Sequence, residues 1–205
     1  MRPRLALLAL AAALLAATAA CAGDPPSGQG SGGPATTAPA PPTTAPPAAA
    51  EAAPEPARPA PKGLIAAGHR KPSPPLEVTD FAGRTHDLAE LRGRPVVVNF
   101  FESWCVVCRT EQHDLNDVAE DFKGRVQFLG VSNHDTVSGG REYQQKYEIP
   151  YPMANDSSGR TWAAWGVPYQ PVTVVVDQHG RVAWRFAGLL EPGMLGPVLE
   201  YLVEV

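Results

Sequence analysis

The chain has 205 residues, and its composition divides them: 12 of its 23 prolines fall between Asp24 and Pro61. That leaves roughly 140 residues from about Leu64 onward, the size of one compact domain that can bury a core without structural disulfides. The net charge of −4 comes with no long basic run, which argues against nucleic acid as a partner but names no substrate.

Arg2 and Arg4 open the chain on positive charge, and Leu5 to Ala20 is an almost unbroken Leu/Ala run. It is short of the about 20 apolar residues of a membrane span. With small residues at its end, residues 1–20 read as a secretory signal peptide. Cys21 follows Thr18-Ala19-Ala20 directly. This resembles the bacterial lipobox, in which a cysteine after a small residue is lipidated and becomes the new N-terminus, although Thr18 stands where an aliphatic residue is usual. The resemblance implies a lipid on Cys21 and attachment to the outer face of the cytoplasmic membrane. Plain cleavage near Ala19 or Ala22, giving a secreted protein, and an uncleaved anchor are the alternatives. Cysteine arithmetic agrees with lipidation. Three cysteines would leave one unpaired in an oxidising compartment, and assigning Cys21 to lipid leaves one close pair.

Residues 21–63 read as a disordered tether, because Ala, Pro, Thr, Gly and Ser offer too few large apolar groups to offset the entropy of ordering. Its reach is at most ~120 Å at about 3.1 Å per residue. Residues 64–205 then alternate strand and helix patterns. Leu76–Thr79 reads as a short strand, Phe81–Arg84 as a turn, and Asp87–Leu91 as a short helix ended by Gly93 and Pro95. Val96–Phe101 is a β-branched and aromatic run expected of a central strand buried on both faces. A helix is expected from about Cys105 to Phe122, stopped by Gly124, and a second buried strand over Val126–Val131. Gly139–Tyr147 and Thr161–Trp165 follow as helices. Val172–Val176 and Arg181–Phe186 form two strands around the hairpin turn Asp177–Gly180, and Leu195–Val203 closes the chain as a helix. The pattern predicts an α/β fold, a mixed sheet with helices on both faces, and no internal repeat.

The chemistry lies where the central strand hands over to the long helix, in Trp104-Cys105-Val106-Val107-Cys108. Unpaired amides and the dipole at a helix N-terminus stabilise an anion and lower a thiol pKa from its free value of about 8.5. Cys105 is therefore the expected nucleophile. Cys108, one turn along the same face, can resolve a mixed disulfide. Two alternatives remain. Half a zinc site lacks the second pair that four-ligand coordination needs, and an inert bridge over so short a loop restrains the unfolded chain little.

Asn99 to Arg109 resembles the active-site strand and helix of thioredoxin-like proteins. The closer likeness is to the exported TlpA/ResA branch, with its cytochrome c maturation reductases and the DsbE- and DsbF-like proteins of actinobacteria. The likeness runs from about Pro74 to the C-terminus and includes Leu91–Val97 and Gly166–Thr173. It implies a thioredoxin-like fold without a cofactor. The expected partners are exported protein thiols or disulfides and a membrane electron donor or acceptor. It also makes Pro171 a cis-proline facing the disulfide, with Gln170 and Trp104 contacting substrate, and Glu111 a manager of the cysteines' protons. The alternatives are a trans strand breaker for Pro171, a lid packed for stability for Trp104, and a solvated helix glutamate for Glu111. Thioredoxin uses an aspartate where this chain has Asn99, which cannot titrate. The Val106-Val107 dipeptide brings no charge or donor to the thiolate, which leans towards a reductase. A disulfide-forming oxidant of the same fold is the alternative. A peroxiredoxin-like peroxidase would carry threonine where Glu102 stands. A copper or thiol-binding module finds only isolated Met153 and Met194, with no Met/His cluster; no metal ligands are assigned.

Overall fold

The computed structural model describes residues 58–204, so the signal segment, Cys21 and most of the expected tether lie outside the described residues. A five-stranded mixed sheet forms the centre. Its strands are β3 (Val96–Phe100), β4 (Gln127–Ser132), β5 (Met153–Asn155), β6 (Val172–Val176) and β7 (Val182–Ala187). Ahead of it a two-stranded hairpin pairs β1 (Glu77–Thr79) with β2 (Thr85–Asp87). The helices are α1 (Val106–Asp121), α2 (Val137–Lys146), α3 (Arg160–Ala164) and α4 (Leu195–Val203).

The strand order is β5-β4-β3-β6-β7, with β3 parallel to β4 and antiparallel to β6. All five residues of β3 are buried, as a β-branched strand covered on both faces must be. Alternation then divides its side chains between two cores. Val97 and Phe101 join α1, α2 and α4 on one face. Val96, Val98 and Phe100 join Trp162 of α3, Trp165 and the hairpin residue Val78 on the other. Helices do cover both faces, but α3 is only five residues long, so the hairpin completes its side. Fully burying Phe100 and Phe101 contributes about 1.5–3 kcal/mol each.

Both sheet edges are covered. Phe81 donates its N–H to Met153 on the β5 side, and Ile65 and Val182 exchange backbone bonds across β7 with Ala183 and Lys71. Arg58 forms ion pairs with Glu200 and Glu204 at the C-terminal end of α4, and Trp184 Nε1 donates to the Lys62 carbonyl at 3.1 Å.

One expected element is corrected. Asp87–Leu91 is not a helix: Asp87 ends β2, its Oδ1 accepts the Ala89 N–H, and tight turns then run to Gly93 at φ 93. An Asx turn has outcompeted the helix. Strands β2 and β5 were not expected. Three residues each carry no periodic signal, and they are strands because of their neighbours.

Candidate active site

The site is built at the C-terminal end of β3. Residues 102–105 turn the chain out of the sheet, with the Cys105 N–H donating to the Glu102 carbonyl at 3.0 Å, and α1 begins at Val106. Cys105 is the N-cap of that helix, with extended φ −72 and ψ 119, and its sulfur accepts the Cys108 N–H at 3.1 Å. A sulfur in that position takes up a donor the helix would otherwise leave orphaned, and the same bond supports a thiolate. Cys105 and Cys108 are joined as a disulfide, with their Cα atoms 5.3 Å apart.

Accessibility distinguishes the two. Cys105 is 7% exposed and Cys108 1%, so only the first shows any surface to a partner. Around it the surface is apolar: Trp104 is 55% exposed and Val106 72%, with Val107 and Tyr169 also open. Trp104 is thus not packed as a lid into the core.

Gln170 and Pro171 immediately precede β6, beside the site. Val172 pairs with Phe100 in the β6–β3 register, so Pro171 lies at the sheet end from which the active-site loop departs. The Gln170–Pro171 peptide is cis. The Pro171 carbonyl is taken by Gly188 at 2.9 Å, whereas no hydrogen bond among the described residues occupies the Gln170 backbone.

Glu111 sits on α1, three residues beyond Cys108, and is 1% exposed. Its Oε1 accepts the Asn99 amide at 3.2 Å and its Oε2 the Leu190 N–H at 2.8 Å. Burial pushes its carboxyl up to about 7, and those two donors pull the other way. The group therefore changes charge near neutral pH, inside the core and one turn from Cys108. Asn99 also donates to Thr173 Oγ1 at 3.1 Å, which links β3, β6 and α1 through one amide.

Other partners had no signal in the sequence. Leu190 acts through its backbone, which any residue carries. Tyr143, from α2, donates within reach of the Cys108 carbonyl (3.2 Å) and Gln112 Oε1 (3.0 Å), and its ring stacks on Phe101. Burial pushes the hydroxyls of Tyr143 and Tyr151 upward, so both remain neutral hydrogen-bonding groups. Among the described residues no group of three or more His, Cys, Asp or Glu is arranged to hold a metal ion. Cys21 lies outside the described residues.

Comparison with known proteins adds to this geometry. The chain is 26% identical over 119 residues to the thiol-disulfide oxidoreductase ResA of Bacillus thuringiensis subsp. konkukian, an alignment covering 58% of this chain and 69% of that protein. It is 33% identical over 102 residues to the soluble secreted antigen MPT53 of Mycobacterium tuberculosis, covering 50% of this chain and 58% of the relative. Among solved structures, MTB dsbF superposes with a TM-score of 0.58 at 29% identity, over 62% of this chain and 94% of the other. Fold, cysteine pair and relatives together make this a thioredoxin-like thiol–disulfide oxidoreductase. The AhpC/TSA family model matches residues 70–185, the segment that carries the sheet except the last two residues of β7 together with Trp104, both cysteines, Glu111, Gln170 and Pro171, and the chain belongs to that family.

Proposed function

We propose that the chain works outside the cytoplasm, held at the membrane by a lipid on Cys21, and reduces disulfides of exported proteins through Cys105 and Cys108. The observation that carries the reading is the asymmetry of the pair: an N-capping cysteine 7% exposed, and a second cysteine, 1% exposed, one turn behind it. The Cys105 thiolate attacks one sulfur of a partner disulfide. An S–S bond forms to Cys105, and the other partner sulfur leaves as a thiolate. Cys108, deprotonated with Glu111 as proton acceptor, then attacks Cys105 Sγ, closes the intramolecular disulfide and expels the second partner thiolate. Two electrons pass from the pair to the partner, whose two leaving thiolates take up one proton from Glu111 and one from water. An exported electron donor at the membrane must then return two electrons to the pair. Trp104 and the free Gln170 backbone would hold the partner's chain alongside Cys105 as an added strand.

Export is supported by the signal-like residues 1–20 and by relatives such as the secreted antigen. Replacing Cys21 with alanine should abolish metabolic labelling by fatty acid; a labelled variant refutes the anchor. The reducing direction is supported by Val106-Val107, which offers the thiolate neither charge nor donor. One observation favours the oxidant instead, the Cys108 N–H on Cys105 Sγ. Glutathione titration decides between them. A potential between roughly −220 and −300 mV is expected. A value near about −120 mV reverses the direction, and one far below about −300 mV makes the bridge structural. Peroxide reduction is disfavoured because the residue three before Cys105 is Glu102, whose carboxylate is turned to the loop after β4.

A further inference from the structure

Glu102 is the second carboxylate buried at this site, and nothing in the exchange steps above uses it. Its side chain is fully buried, on the turn that delivers Cys105. Oε1 accepts the N–H groups of Asn133 (3.1 Å) and His134 (2.8 Å), in the loop after β4, and His134 Nδ1 lies 3.3 Å away. The same loop answers with Asp135, which accepts the Ser103 N–H at 2.8 Å and the Ser103 hydroxyl. Arg109 Nε in turn holds the Ser103 carbonyl at 2.8 Å. Two carboxylates therefore clasp the active-site turn to its neighbour from opposite sides.

Fold stability alone is a poor reason for this glutamate. Its Oε2 is buried without a hydrogen-bond partner among the described residues, which is costly, and an uncharged residue would avoid that cost. Two backbone amides donate to one oxygen of this carboxyl, and such donors favour its ionised form. Burial and the nearby Asp135 carboxylate push the Glu102 carboxyl upward, against the two amides and His134. An anion three residues before the nucleophile opposes a second negative charge on Cys105.

We propose that Glu102 is a positioning residue for the exchange reaction: it latches the turn Glu102–Cys105 to the loop after β4, and in its ionised form it sets a negative charge on that turn that disfavours the Cys105 thiolate, making the pair more reducing. This rests on, and deepens, the reductase reading. It accounts for direction from the protein's own residues, where Val106 and Val107 supply only the lack of a stabiliser.

The test is E102Q, which keeps an acceptor oxygen and loses the charge. The midpoint of Cys105 alkylation against pH should fall by about 0.5–1 unit, and the equilibrium with glutathione should move roughly threefold to tenfold towards the reduced pair. E102D keeps the charge and should hold the wild-type midpoint. A folded E102Q with both readouts unchanged overturns the proposal, as does an E102D that shifts as far as E102Q. Should E102Q fail to fold, H134K at an exposed position sets a permanent cation against the carboxylate. The alkylation midpoint should then fall, and an unmoved midpoint overturns the proposal equally. Wild-type potential tests the reductase reading, and only the difference between variant and wild type tests Glu102, so either can fail alone.

Discussion

Cys105→Ser should abolish disulfide exchange, and Cys108→Ala should stop it half-way. A serine hydroxyl is a far weaker nucleophile and the helix end cannot ionise it at neutral pH, so turnover should fall by at least about 10³-fold. Cys108→Ala leaves the attacking sulfur in place. The mixed disulfide on Cys105 then has no internal thiol to resolve it, because Cys108 is the only described cysteine besides Cys105. Adducts should accumulate in intact cells and appear on non-reducing gels as bands that collapse with reductant. Recovering the adducts identifies the partners directly. A Cys105→Ser protein with more than a few per cent of wild-type activity would remove the pair from the mechanism. A Cys108→Ala protein without adducts would leave attack by Cys105 unsupported.

The second large effect belongs to Glu111. Its folded carboxyl titrates at about 7, above the ordinary 4.5, because burial favours the neutral form. The sign follows from linkage: the folded state binds the proton more tightly than the unfolded chain. Its contribution to stability is fully present below about 4.5 and is lost as pH rises through about 7. A shift of that size corresponds to roughly 3 kcal/mol. Glu111→Gln removes the charge, and Asn99 can turn its amide to keep both sides bonded at the Asn99–Thr173 link. One acceptor, facing the Leu190 N–H, is weakened. Urea unfolding should therefore show the variant about 1–3 kcal/mol more stable than wild type at pH 8, with the gain gone at pH 4. Activity should move the opposite way. Resolution of the mixed disulfide should slow by roughly 10²-fold, the usual contribution of a general base, and lose its inflection near neutrality. Parallel stability curves and an unchanged rate profile would leave Glu111 as a buried polar residue without a role.

What could be read from the sequence divides by the range of the interactions. Val96–Phe101 and Leu195–Val203 announce themselves because their patterns are long and the core they face is wide. The cysteine pair at the start of α1 is equally local, since strand, turn and helix follow one another in the chain. Glu111 is legible as a position on that helix, but its environment is not. It is made by Asn99, Thr173 and Leu190, which only the closed sheet brings together. Asp87 misleads in the opposite way. Asp-Leu-Ala-Glu-Leu looks like a capped helix start, yet Gly93 and Pro95 leave too little room to extend a costly first turn. Strand β5 has no propensity to speak of and exists because β4 and Phe81 offer it hydrogen bonds.

The ion pairs of Arg58 with Glu200 and Glu204 tie the first of the described residues to α4. They lie at the far tip of α4, while Leu190, just ahead of that helix, touches Glu111 beside the disulfide. Arg58 and the chemistry are therefore served by different ends of α4. Trimming Glu200 and Glu204 should therefore loosen the grip on Arg58 and leave the redox chemistry untouched.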